Sequence, residues 1–133
     1  MNPQTPTNEH LLFIRGTQWN SSLSANQLQE TMTRFYAWAE GLKQAGILRA
    51  AQPLMEEGRI VSGPRGSSVT DGVFAESKEA IAGYFLLSVA TMKEALLHAR
   101  ACPILEHGAQ IEVRPVADLC RPMAELKTMA ASV

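Results

Sequence analysis

Cysteine is scarce in this sequence: Cys102 and Cys120 are the whole supply among 133 residues. Neither belongs to a CxxC motif or to a Cys/His pair at zinc-ligand spacing, which excludes a disulfide framework and a structural zinc site. Basic charge is short as well. Twelve basic residues stand against 13 acidic ones, for a net charge of -1, so the basic stripe with which nucleic-acid binders neutralise phosphates is missing. No apolar run approaches the roughly 20 residues needed to cross a bilayer, which sets the membrane aside as a partner. Met1 to Glu9 lacks the charged start and apolar stretch of a secretory signal. These absences point to a reducing cytoplasm with both thiols free. What the chain does have is apolar bulk, 46% of its residues, enough for the core of one domain.

The order of elements follows from periodicity and punctuation. Residues 1–8 carry two prolines and read as a frayed tail. His10-Leu11-Leu12-Phe13-Ile14-Arg15 is a short apolar run stopped by Gly16, the pattern of a buried strand. Ser24 and Gln27 form a capping box that opens a helix. Leu28, Met32, Phe35, Ala39 and Leu42 give that helix an apolar face, Tyr36 and Trp38 flank it, and Gly46 stops it. Ile47 to Leu54 reads as a second strand, Arg59 to Ser62 as a weak one, and Ser62 to Asp71 as a loop or an edge hairpin. Ile81 to Val89 is the strongest strand signal. Thr91 and Glu94 open a second helix bearing Met92, Ala95, Leu96 and Ala99, which must end before Pro103. Ile111 to Arg114 alternates apolar with charged as a last strand. Pro122 to Ala131 spaces Met123, Leu126 and Met129 as the stripe of a short helix.

This order predicts an α+β fold in which one antiparallel sheet carries both helices on a single face, the ferredoxin-like arrangement. The expected division is a tail over 1–8, a domain over 9–117 and an extension over 118–133. The helix-free face, assigned side chains such as Leu11, Phe13, Tyr84 or Phe85, costs roughly 25 cal/mol per Å² of apolar area left wet. Face-to-face pairing in a homodimer would cover it.

At Val69-Thr70-Asp71-Gly72-Val73-Phe74-Ala75-Glu76-Ser77-Lys78-Glu79 the sequence resembles the DGPF-type branch of the YCII-related family, whose signature runs Asp-Gly-Pro-Phe, Ala-Glu, Lys-Glu. The resemblance extends to Leu11–Gly16, Gly83-Tyr84-Phe85, Ala101-Cys102-Pro103 and Ile111 to Val116, in the right order over about residues 10 to 116. It implies a ferredoxin-like fold that pairs into a dimeric α/β barrel, a cytosolic bacterial protein, and genes neighbouring extracytoplasmic-function sigma factors. Two departures matter. Val73 replaces the signature proline and leaves that turn less rigid. Cys102-Pro103 stands where the wider group has Asp-Pro, and the first helix holds no histidine, so the group's His–Asp mechanism is not carried over.

Asp71 leads the candidate catalytic residues, because a carboxylate beside a ligand cavity serves as a general base. Asp-Gly is also a turn dipeptide, and turn chemistry alone explains the pair. Glu76, Lys78 and Glu79 would line a polar cavity or form a solvated, charged face. Arg15 suits a carboxylate or phosphate ligand through two parallel hydrogen bonds, with pairing to Glu112, Glu76 or Asp71 as the alternative. Arg114 reads as structural. Tyr84, with Trp19 and Trp38, is a candidate pocket wall or core residue. His10, His98 and His107 read as surface residues without metal partners, so neither metal nor cofactor is expected. Gly63-Pro64-Arg65-Gly66-Ser67-Ser68 lacks the ending of a phosphate loop and reads as a lid. Two functions stay open: binding or acting on a small organic molecule in a cavity of the homodimer, and a non-catalytic module associated with a sigma factor.

Overall fold

Leu12 and Ile14 are buried, while their neighbours Leu11, Phe13 and Arg15 are half-buried, the period of two of a strand whose faces meet different surroundings. The computed structural model describes residues 3–72 and 80–131. In it the strand is β1 (Pro6–Arg15), followed by α1 (Ala25–Gln44) and β2 (Leu48–Pro53). A hairpin of β3 (Arg59–Ser62) and β4 (Ser68–Asp71) comes next, then β5 (Ile81–Leu87) and α2 (Met92–Arg100). A 3-10 turn at Pro103–His107, β6 (Gln110–Ala117) and α3 (Arg121–Ala131) complete the chain. Four strands form one sheet in the order β2-β5-β1-β6, and every pairing is antiparallel. β1 and β2 thus run parallel with β5 between them, the ferredoxin-like arrangement expected from the element order.

The core lies between this sheet and the first two helices. Leu12 stands opposite both Phe85 and Val113, and Leu12, Phe85 and Leu87 share one buried cluster with Leu42 of α1 and with Ala95 and Ala99 of α2. Phe85 therefore belongs to the helix-covered face, a correction to its assignment to the open one. The continuous apolar run of β5 carries no alternation that would separate its two faces. Leu11, Phe13, Tyr84 and Leu86 lie on the open face, where Leu11 faces Leu86 and Phe13 faces Tyr84.

Ser24 caps α1 as its sequence requires: its hydroxyl accepts from the Gln27 N–H, and the Gln27 side chain accepts from the Ser24 N–H at 2.8 Å. The buried line of the helix is rotated from the apolar stripe. Thr31 and Leu42 are its buried residues, Trp38 turns inward, and Tyr36 is exposed. Trp38 earns that place through two contacts, its ring 5.0 Å from Phe85 and its indole N–H donating to the His98 carbonyl at 3.0 Å. This bond ties α1 to the C-terminal turn of α2.

Three further expectations change. The tail is paired rather than frayed: β1 begins at Pro6, the Asp118 N–H donates to the Thr5 carbonyl at 2.9 Å, and the Thr7 hydroxyl donates to the Val116 carbonyl at 2.8 Å. A longer β6 supplies those partners. Residues 59–71 form a two-stranded sheet of their own instead of an edge of the main one. In α3 the stripe Met123, Leu126 and Met129 is exposed, and the small Ala124 is the buried residue.

Candidate functional site

Between α1 and the β2–β5 side of the sheet lies a cavity of about 370 Å³. Its helical wall is Met32, Phe35, Tyr36 and Ala39; Ala51, Pro53, Gly83 and Phe85 form the sheet wall, with Trp19 and Ile104 also in the lining. Local sequence explains this space. Ala39 and Ala51 are small where larger residues would meet. Gly83 lets β2 approach, since a Cβ there would stand 2.8 Å from the Gln52 carbonyl oxygen and 3.3 Å from the Pro53 Cα. The polar side chains of the described lining are Tyr36 and the Trp19 indole; Gln52, paired with Tyr84, turns its side chain to the open face and borders the cavity with its backbone. Such a mostly apolar space with a few polar groups suits an organic molecule better than an ion.

Behind Trp19 stands a support that sequence reasoning missed. His107 stacks on the Trp19 ring with centroids 6.2 Å apart, and its Nε2 lies 3.1 Å from the Thr31 hydroxyl. Thr31 is only 1% exposed, so its hydroxyl needs that partner. One signal was available: Thr31 is a polar residue on the same helical line as Phe35, Trp38 and Leu42, and a polar group facing a core requires a polar neighbour. His10 is likewise buried, and its Nδ1 donates to the Val89 carbonyl at 3.1 Å. A carbonyl only accepts, so Nδ1 carries the proton. The reading of His10 and His107 as surface residues is corrected; their partners come from elements distant in sequence.

The residues singled out by sequence do not converge. Arg15 lies on the open face, its Nη1 3.2 Å from Glu112 Oε1, and Arg114 reaches Glu112 at 3.9 Å. Tyr84 is on the same open face, opposite Phe13 and Gln52. Asp71 closes the hairpin at the end of β4, 92% exposed and 3.8 Å from the Arg59 guanidinium. None of these four residues lines the cavity. Glu76, Lys78 and Glu79 lie outside the described residues, as does Val73. The Gly63–Ser68 segment forms the tip of the hairpin. Among the described residues no cluster of His, Cys, Asp or Glu could hold a metal ion, and no helix is long and apolar enough to cross a membrane.

The two thiols differ sharply. Cys102 is buried, and burial pushes its thiol up from 9.0 to about 11, against a smaller downward pull from a backbone hydrogen bond at Ile104. Cys120 is exposed. At pH 8 a thiol reagent should label Cys120 quickly and Cys102 only after denaturation, and two fast thiols in the native protein would contradict this burial. Because the folded-state value is raised, the protonated thiol's contribution to stability is complete below pH 9 and is lost as pH rises from about 9 to about 11.

Comparison with known proteins adds one match: the family model of the YCII-related domain covers residues 11–119. No curated protein matches the chain.

Proposed function

The chain belongs to the YCII-related domain family, and from that premise we propose that it binds a small, largely apolar organic molecule in the cavity between α1 and the sheet, as a homodimer. The observation that carries this reading is the cavity itself. Its volume of about 370 Å³ falls within the range of roughly 300–1,000 Å³ that small-molecule sites occupy. Tyr36, the Trp19 indole and the Gln52 backbone would orient a ligand's polar end, while Phe35, Phe85 and Met32 would hold its apolar body. The described lining offers no carboxylate, histidine or lysine, so binding is the activity it supports. Acid–base chemistry would have to come from Asp71, Glu76, Lys78 or Glu79 in the signature segment. Apart from Val73 in place of proline, that segment also supports membership of the DGPF-type branch.

Ala39→Phe tests the site by filling it from α1. The reporter is the fluorescent probe N-phenyl-1-naphthylamine, titrated into both proteins. The wild type should bind it saturably and the variant at least about tenfold more weakly, a difference of roughly 1.4 kcal/mol, with unchanged far-UV circular dichroism. Equal affinities would remove the cavity as the binding site.

A second reading draws on α3, whose exposed Met123, Leu126 and Met129 suit the groove of a protein partner. An interaction module associated with a sigma factor would use that stripe, and Leu126→Asp would abolish the association while sparing probe binding.

A further inference from the structure

The β3–β4 hairpin is over-exposed for a single chain. Every residue from Arg59 to Asp71 is exposed, and the two strands pack mainly on each other. Val61 and Val69 face one another across the ladder at 65% and 61% exposure. Ile60 is exposed as well, and Leu54 and Met55 continue the apolar surface towards β2. An isolated two-stranded hairpin is marginal in water and needs a surface to pack on. This one also holds Arg65 at φ 59 in its tip, between the left-handed Gly63 and Gly66, an unfavourable conformation for a residue with a Cβ.

We propose that the hairpin is an intersubunit arm whose Val61–Val69 face packs against a second copy of the chain. This rests on the homodimer of the preceding section and names a segment that builds it. The surface area selects the occupant. The chain exposes 9379 Å², whereas a compact monomer of its 14.5 kDa would expose about 6,900 Å². The surplus of roughly 2,500 Å² far exceeds the ~800 Å² per partner of a standard interface and is on the scale of obligate self-association. Two-fold symmetry would let each copy give one arm and receive the other. Charge agrees. Arg59 pairs within the hairpin with Glu57 at 3.3 Å and Asp71 at 3.8 Å, so the base of the arm calls for no strongly charged partner.

Sedimentation velocity on the full-length wild type, V61D/V69D and the α3 control L126D tests the arm. The wild type and L126D should be dimers. V61D/V69D should dissociate with a Kd raised at least about 100-fold, its circular dichroism and N-phenyl-1-naphthylamine binding preserved. A V61D/V69D dimer as tight as wild type overturns the arm and leaves the homodimer standing. A wild type that stays monomeric at high concentration overturns both. Dissociation by L126D with V61D/V69D unaffected moves the interface to α3. An independent readout avoids substitution altogether: isotope-filtered spectra of mixed labelled and unlabelled wild type should show contacts from the Val61 and Val69 methyls to the other copy. Only intramolecular contacts from those methyls would overturn the arm.

Discussion

Phe85→Ala should destabilise the protein by about 3–5 kcal/mol, read as a lower urea midpoint with an unchanged slope. Phe85 is 7% exposed. Its ring sits 5.0 Å from Trp38 and 5.8 Å from Phe35, and its partners across the ladder are Leu12 and Ala51. Removing the ring deletes the hub of the aromatic cluster joining α1 to the sheet and leaves a void that neighbours already in the ladder cannot refill. Against a total stability of roughly 5–15 kcal/mol, that loss leaves a marginal protein. A change below about 1 kcal/mol would mean that Phe85 faces the open side of the sheet and that the core is misplaced.

Gly83→Ala is the second large effect, and it acts on the site as well as on stability. The added Cβ would stand 2.8 Å from the Gln52 carbonyl oxygen and 3.3 Å from the Pro53 Cα, and these atoms belong to backbone that no side-chain rotation moves aside. β2 has to shift, at a cost of about 1–3 kcal/mol, and with it go Ala51 and Pro53 of the cavity wall. Probe binding should fall at least about tenfold. The control has the opposite sign. Gly41 lies within α1 with open space around its Cβ position, so Gly41→Ala should stabilise by about 0.5–1 kcal/mol. Equal stability changes at the two glycines would show that the close approach of β2 and β5 is not what Gly83 serves.

Local chemistry was legible in the sequence, and facing was not. Ser24 and Gln27 announced the start of α1 because a cap is settled within four residues. Trp38 and Tyr36 are two positions apart on the same helix, yet one is tied to His98 and the other is exposed. Stripe counting cannot separate them, because the partner that decides it lies 60 residues away. The same holds for Tyr84 and Phe85, adjacent in a strand whose apolar run hides its alternation. The candidate site diverged for a related reason. Arg15, Tyr84 and Asp71 stood out by residue type, but the sheet sends Arg15 and Tyr84 to the face away from the cavity, and the hairpin carries Asp71 into solvent. The cavity is walled by ordinary residues, small Ala39, Ala51 and Gly83 among aromatic ones, and becomes visible only once α1 is laid on β2 and β5. His107 became informative only beside Trp19 and Thr31, across the gap between the 3-10 turn and α1.

The claim that this cavity is the binding site is tested most directly by methyl-resolved NMR during titration with N-phenyl-1-naphthylamine. Saturable shifts at the methyls of Met32, Ala39, Ala51 and Ile104, with Leu11 and Leu86 unmoved, are the result expected of a ligand held between α1 and the sheet. Shifts confined to Leu11 and Leu86 would place the ligand on the open face and contradict the proposed site.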